Sequence, residues 1–443
     1  MSPGPVDLLQ QLIRNQCVND GTVDSGHEAR SVATLRDFLG VEGDIFEPVA
    51  GRQSLVYRVP GSDPTAPSLA LVPHLDVVPV DQAGWTMDPF EAEIVDGFVY
   101  GRGAVDMLNV TAAMASAVRP YLIGEKAPRG DLVFAAVADE EAGGRLGASH
   151  LVAERWDLVG ADYLLTEVAY PGLTVGDHRA VPVSIGEKGA FWSVFETRGR
   201  PGHGSAPYGT DNALEKMVTA LAGMIATPSP AAIVDEWIEF VRHLGLDEES
   251  VRRLTDIDQL DDEIDRIAVE DPILARYIHA ATHLTISSTV LRAGTKTNVV
   301  ADQARADVDI RGLPGMDREF VDAHLRKAMG SAAGHVDITP IMDSEASTSP
   351  VGNALWEAIG DAVEELDGHR NLAPTLTTVA TDARFWRERG TVCYGVGLFD
   401  DRMGFSEMLS LFHGHDERVS AASVERTTHL YERVLERFNA TSS

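Results

Sequence analysis

Cysteine is nearly missing from this sequence: Cys17 and Cys393 are the only two among 443 residues. So few rule out a disulfide framework. Neither has a second metal-type ligand close by in sequence, and Cys393, inside TVCYGVG, is expected to be a small buried hydrophobe. No run of about 18 apolar residues occurs, so no membrane-spanning helix is expected. The segment MSPGPVDLLQQLIRNQ lacks the basic-then-apolar pattern of a secretory leader. A cytoplasmic protein of a reducing compartment is the expectation. Positive charge is also scarce: 37 Lys and Arg face 68 Asp and Glu, for a formal net charge of -31. Such a surface repels nucleic acid and anionic membranes, so neither is an expected partner. Several motifs are missing too. There is no G-x-G-x-x-G or G-x-x-x-x-G-K-[ST] phosphate loop, and no HExxH. His203-Gly204-Ser205 is not set in a G-x-S-x-G nucleophile elbow.

What remains is globular, with 44% hydrophobic and 24% charged residues. The length exceeds one ordinary core and predicts two domains. Three apolar runs read as buried strands that end in polar residues: SLALVPHLDVVP, DLVFAAVADEE and ADYLLTEVA. Helices are expected over 28–39 and 110–122. This is the texture of an α/β fold with a central, largely parallel sheet flanked by helices, working at the carboxyl ends of its strands. Near IGEKG the texture changes. FWSVFETRG, a helix with Asp211 as its cap, an acidic and mostly helical stretch over 228–281, LTISSTVLRAG, QARADVDIRGLP, a helix over 318–329 and GHVDITPIM suggest a smaller α+β domain. The charge pattern of the acidic stretch suggests a solvated surface. The α/β texture then returns. The expected division is 1–187 and 343–443 for the larger domain, with 188–342 inserted.

Chemistry gathers at the three strand ends. In HLD, a residue two positions on along a strand shares a face, so Asp76 is placed to reach one ring nitrogen of His74 while the other binds metal. Asp106, in YGRGAVDM, has two oxygens with which to bridge two ions. Glu140 and Glu141 are adjacent carboxylates leaving an apolar strand, which repel unless a cation or proton joins them. A dinuclear centre solves this: Glu141 ligates and Glu140 takes a proton from water. Glu167 ends YLLTE. In LFHGHDE, either His413 or His415 could complete the set. Two histidines with three carboxylates suit Zn²⁺, with Co²⁺ or Mn²⁺ as substitutes. His203, amid glycines in the inserted segment, could donate to an oxyanion or a substrate carboxylate. Asn298 and Arg311 lie beside strands of that segment, and Arg311 is the better clamp for a carboxylate.

These motifs, together with GRPGHGSAP followed by DNAL, TNVVADQARADVDIRGLPG, TTVATDARF and FHGHDERV, stand in the order of a known family. The chain resembles the M20 metallopeptidases, nearest in texture to the carboxypeptidase S and acyl-amino-acid hydrolase branch. The resemblance implies a dinuclear-zinc exopeptidase type of fold with two Zn²⁺ per subunit. It implies His74 and Glu167 on one metal, Glu141 and a C-terminal histidine on the other, and Asp106 bridging. The position of that histidine, three before a D/N-E pair, selects His413. Glu140 resembles the general base and Asp76 the carboxylate orienting His74. His203 resembles a residue brought to the oxyanion, often across a dimer, and Asn298 and Arg311 resemble substrate-binding residues. The inserted domain resembles a lid or dimerisation domain, so a homodimer is expected. The implied reaction is amide hydrolysis of an N-acyl amino acid or a dipeptide with a free carboxylate. An N-carbamoyl or ureido amidohydrolase, or a binding protein that kept the fold, are the rivals. Leu108-Asn109 and YGVGLFD depart from the family pattern, the latter in a segment bearing on specificity.

Overall fold

The computed structural model describes residues 3–440. Ten strands form the large sheet. At its centre, Leu132–Ala136, Leu69–Leu71, Tyr163–Thr166 and Val392–Gly395 lie side by side and parallel. The apolar runs explain this placement, because a strand covered on both faces needs no polar side. Leu132, Phe134 and Ala136 point into one core with the helices Pro5–Arg14, Leu108–Leu122, Ala354–Asp367 and Ala421–Ala440. Val133, Ala135 and Val137 point into the other, against Leu151, Val159 and Trp386. Antiparallel strands extend both sides: Arg52–Val59 beyond Leu132–Ala136, and the long His178–Glu187 beyond Val392–Gly395. The fold is the expected α/β architecture, a central, largely parallel sheet flanked by helices.

Five strands within 189–340 form a second, antiparallel sheet. Its strand Gln303–Gly312 alternates buried and open positions. The buried face, with Ala304, Ala306, Val308 and Ile310, packs on the helices Ala213–Ala226 and Arg318–Met329. The first of these helices is capped by Asn212, whose side chain accepts from Leu214 N at 3.0 Å. Asp211, the expected cap, instead pairs with Lys216.

The acidic stretch folds as four helices between Asp235 and Thr282. Apart from the buried Glu263, most of its charges are open to solvent, while Trp237, Phe240, Leu260, Tyr277 and Ile278 pack with Tyr170, Ala373 and Phe405 of the large-sheet body. The stretch is thus docked on the body by an amphipathic face that its charge run concealed. Where one sheet passes into the other, both side chains are tied down. Glu187 accepts from Arg387 Nη1 at 2.9 Å, and Lys188 Nζ donates to the Ala280 and His283 carbonyls at 2.7 and 2.6 Å.

Candidate metal centre

His74, Glu140, Glu141 and Glu167 all lie just past the carboxyl ends of three adjacent parallel strands. Asp106 and His413 arrive on loops. Two ligand sets result, His74–Asp106–Glu167 and Asp106–Glu141–His413, with the ligand atoms of each within 4.8 Å of one another. Asp106 belongs to both. Its Oδ1 is 3.2 Å from His74 Nε2, and its Oδ2 is 3.3 Å from His413 Nε2. Glu167 Oε2 lies 3.7 Å from His74 Nε2, and Glu141 Oε2 lies 3.3 Å from His413 Nε2. His415 is in neither set; it is exposed and packs by Gly84.

The loops are held by carboxylates that accept backbone amides. Asp76, fully buried, takes Glu140 N at 3.2 Å and Glu141 N at 3.1 Å. Its contact with His74 is mainly through the main chain: Nδ1 meets the Asp76 carbonyl at 3.0 Å and the carboxylate only at 3.7 Å. The central strand ends at Leu71, so the two-residue strand register does not carry through His74 and Asp76. Glu417 does for Asp106 what Asp76 does for the glutamates. It accepts Gly103 N, Val105 N and Asp106 N at 3.1, 2.7 and 3.2 Å, and pairs with Arg102 at 2.7 Å. Arg102 also donates to the His413 carbonyl at 3.3 Å.

The electrostatics are those of a cation-binding site. Burial, then Glu167, pushes Glu140 well above the ordinary carboxylate range. Burial, then Asp106, raises Glu141, and burial raises Glu167 well above its usual value. Burial would lower both histidines. The neighbouring carboxylates outweigh it, raising His74 well up and His413 to about 10. Asp106 is drawn low because the two imidazoles outweigh its desolvation. One oxygen each of Glu141 and Glu167, both Oε1, is buried with no hydrogen-bond partner. Unpartnered carboxylate oxygens at such depth are costly unless a cation meets them. The donor set therefore fits divalent metal, and its nitrogen and oxygen ligands suit zinc.

A cavity of about 330 Å³ opens over these ligands, between the two sheets. Glu140 lines it, and its carboxylate makes no hydrogen bond among the described residues. Arg311 lines it from the small sheet. Its Nε and Nη2 are held by Asp309 at 2.7 and 3.2 Å, and the guanidinium stacks 5.0 Å from the Trp192 ring. Arg311 Nη1 and Trp192 Nε1 are buried donors without partners. Val168, Met342, Val379 and Phe412 supply apolar wall. His203 and Asn298 are exposed and absent from that wall. They sit together, Gly204 N donating to the Asn298 carbonyl at 2.9 Å.

Sequence reasoning missed Arg384 and Asp382. Arg384 lines the cavity and donates to the Gly143 carbonyl at 2.9 Å. Asp382 is buried with both oxygens unpartnered, and burial pushes it up to about 7. The signal was present in TTVATDARF, to which no role was attached.

The profile of peptidase family M20/M25/M40 matches residues 70–437. The chain belongs to this family. Aminoacylase-1 of Sus scrofa is 27% identical over 439 residues, covering 97% of this chain and 94% of the relative. Succinyl-diaminopimelate desuccinylase of Rhodospirillum centenum is 26% identical over 449 residues, covering 99% and 98%. Among solved structures, an M20 family metallo-carboxypeptidase from Sulfolobus solfataricus has the same fold. Its TM-score is 0.76 at 15% identity, covering 99% of this chain and 100% of that one. Human carnosine dipeptidase 1 gives 0.68 at 17%, covering 99% and 97%. This M20 member is a hydrolase of a metal-dependent family. Among its described residues no helix is long and apolar enough to cross a membrane.

Proposed function

We propose that this M20 hydrolase cleaves the amide bond of an N-acyl amino acid or dipeptide that carries a free carboxylate. The observation that carries the reading is Asp106, with one oxygen turned to each of two ligand sets whose glutamates keep an orphaned oxygen. Two divalent cations bound there, zinc first with cobalt or manganese as substitutes, would polarise the scissile carbonyl and lower the pKa of water. His74, Asp106 and Glu167 would hold one, and Asp106, Glu141 and His413 the other.

Glu140 is the base. It lines the cavity with an uncommitted carboxylate whose proton affinity is raised, which suits a group that takes a proton and returns it to the leaving nitrogen. Arg311 Nη1 and Trp192 Nε1 supply two unpartnered donors for the substrate carboxylate, with Asp309 holding the guanidinium in plane. The apolar wall takes the acyl group or side chain.

The protein acts as a homodimer through the small-sheet segment. The helix Ala213–Ala226 leaves Val218 49% and Ile225 83% exposed, and the neighbouring sheet exposes Leu291. His203 Nδ1 accepts the Ser205 backbone N–H at 3.2 Å, which places the neutral ring's proton on Nε2 and makes it a donor. Exposed in its own chain, it serves the oxyanion in a partner's site, and Asn298 beside it serves the same substrate. The compartment is cytoplasmic.

The deciding experiment is hydrolysis of N-acetyl amino acids, dipeptides, N-succinyl and N-carbamoyl amino acids after reconstitution with zinc, cobalt or manganese. Turnover of the first two with carboxylate dependence supports the reading. Cleavage of only N-carbamoyl substrates, or none with metal bound, overturns it.

A further inference from the structure

Behind the glutamates lies a buried ion cluster that touches neither the cavity nor a ligand side chain. Arg52 opens the strand Arg52–Val59 and is 1% exposed. Its Nε meets Glu28 Oε2 at 2.8 Å, and its Nη2 meets Glu28 Oε1 and Asp139 Oδ1, both at 2.8 Å. Glu28, wholly buried, also accepts Asp139 N at 3.2 Å. Asp139 is gripped on every polar atom. Its Oδ2 takes Leu146 N at 2.9 Å, and its carbonyl takes Gly144 N at 2.7 Å. The grip holds Asp139 in the left-handed region, at φ 72°, immediately before Glu140. Asn19 then joins the cluster to the amide clamp. Its Nδ2 donates to Asp139 Oδ1 at 3.3 Å and to Asp76 Oδ2 at 2.8 Å.

We infer that Arg52 is a positioning residue for Glu140, acting through Asp139 and the Asn19–Asp76 link. The turn that follows Asp139 carries Glu140 at its first position; its other ties are Asp76, which takes the Glu140 and Glu141 amides and is itself held by Asn19, and Arg384, which donates to the Gly143 carbonyl. A non-glycine residue holds a left-handed conformation only where its surroundings impose it, and asparagine and aspartate do so most readily. Here the imposing group is a guanidinium. Only a planar fork can bind both oxygens of Glu28 and still reach Asp139; an ammonium offers three donors on one atom. Gly26 leaves room for it, because a Cβ there would stand 2.6 Å from Arg52 Nε. Removing the fork leaves Glu28 and Asp139 facing each other, and the turn carrying Glu140 loosens.

The inference rests on the proposed base role of Glu140, and the test separates the two. Arg52→Lys keeps the charge and loses the fork. Asp139→Asn keeps the left-handed preference and the acceptor for Leu146 N, and loses the ion pair. The variants are compared with wild type in zinc content, kcat, KM and, in the metal-free state, amide exchange at Glu140, Glu141 and Leu146. The expected result is two bound zinc ions, KM within about threefold and kcat down about 100-fold in Arg52→Lys, as for a misplaced catalytic group. Exchange at the three amides should rise by about tenfold. A smaller kcat loss with the same KM is expected in Asp139→Asn, which decides the matter if Arg52→Lys does not fold. Wild-type kcat in the folded variants, or a loss that merely tracks zinc content, overturns the inference. Glu140→Gln, run in parallel, isolates the underlying reading. If it stays active the base role fails; if it is dead while Arg52→Lys matches wild type, only the positioning role fails.

Discussion

At the carboxyl edge of the large sheet, each ligand loop is tied by buried bonds. Asp76 takes two amides of the Glu140–Glu141 turn, and Glu417 takes three of the Asp106 loop. In the loops beside the small sheet, His203 and Asn298 have nothing comparable. They are exposed, and the closest support for the imidazole is Ser205 two residues on. One region is preorganised within a single chain. The other offers groups whose placement must come from outside it. Preorganisation of polar groups at a dry site is what makes electrostatic catalysis strong. On the proposed reading, the contrast would put the chemical step on the large sheet, and orientation and completion on the small one.

The largest expected effect falls on the preorganised side. Glu140→Gln should lower kcat by about 100- to 1,000-fold with zinc content unchanged, checked by steady-state kinetics beside metal analysis. A loss under tenfold would mean that the large sheet does not hold the base. Next comes the seam between the sheets. Arg311→Met should lower kcat/KM by about 10- to 100-fold, mostly through KM, since a charge-assisted bond is removed. An amidated substrate should be turned over equally by variant and wild type. A third measurement addresses the exposed side directly. His203→Ala and Glu140→Gln are each expected to be nearly inactive, yet refolding them together in equal amounts should restore about a quarter of wild-type activity. Half the dimers are then mixed, each with one complete site. No recovery would place His203 in its own chain's site.

The smallest effect is one of stability. In the metal-free protein the glutamates at 140, 141 and 167 and both histidines bind protons more readily folded than unfolded. Each group's stabilisation is complete below its unfolded value and is lost as pH rises through its folded one. For the glutamates the loss begins above about 4.5, and for His413 it runs from about 6.5 to about 10. Asp106 has the opposite sign, but its window lies below its ordinary 3.8. The melting temperature without metal should therefore fall from about pH 5 to about pH 9, while the zinc-loaded protein changes less. A metal-free protein that grows more stable over that range would contradict the arrangement of charges.

The apolar runs made much of the large sheet legible. A fully buried strand that stops in carboxylates or histidine has few places to be except the working edge of a parallel sheet, and His74, Glu141 and Glu167 are brought together there. What stayed hidden depended on partners far apart in sequence. Arg52 and Asp139 meet across 87 residues, and Arg102 and Glu417 across 315. No spacing rule joins them. The docking of the helices between Asp235 and Thr282, themselves expected, was hidden for another reason. Their dense charge reads as solvated, while Trp237, Phe240 and Tyr277 on the opposite faces decide where they dock. The cap at Asn212 rather than Asp211 shows the usual one-residue slack at a helix start.

Both thiols are sealed into the interior, Cys17 at 2% and Cys393 at 0% exposure, and burial pushes them to about 11 and about 12. Thiols in that state are poor nucleophiles. The native chain is therefore expected to be silent to thiol-directed dyes and spin labels without any substitution. A single cysteine placed on the outer face of each sheet would be the sole target of labelling. Distances between two such probes, read with and without a substrate analogue, would report whether the small sheet moves relative to the cavity.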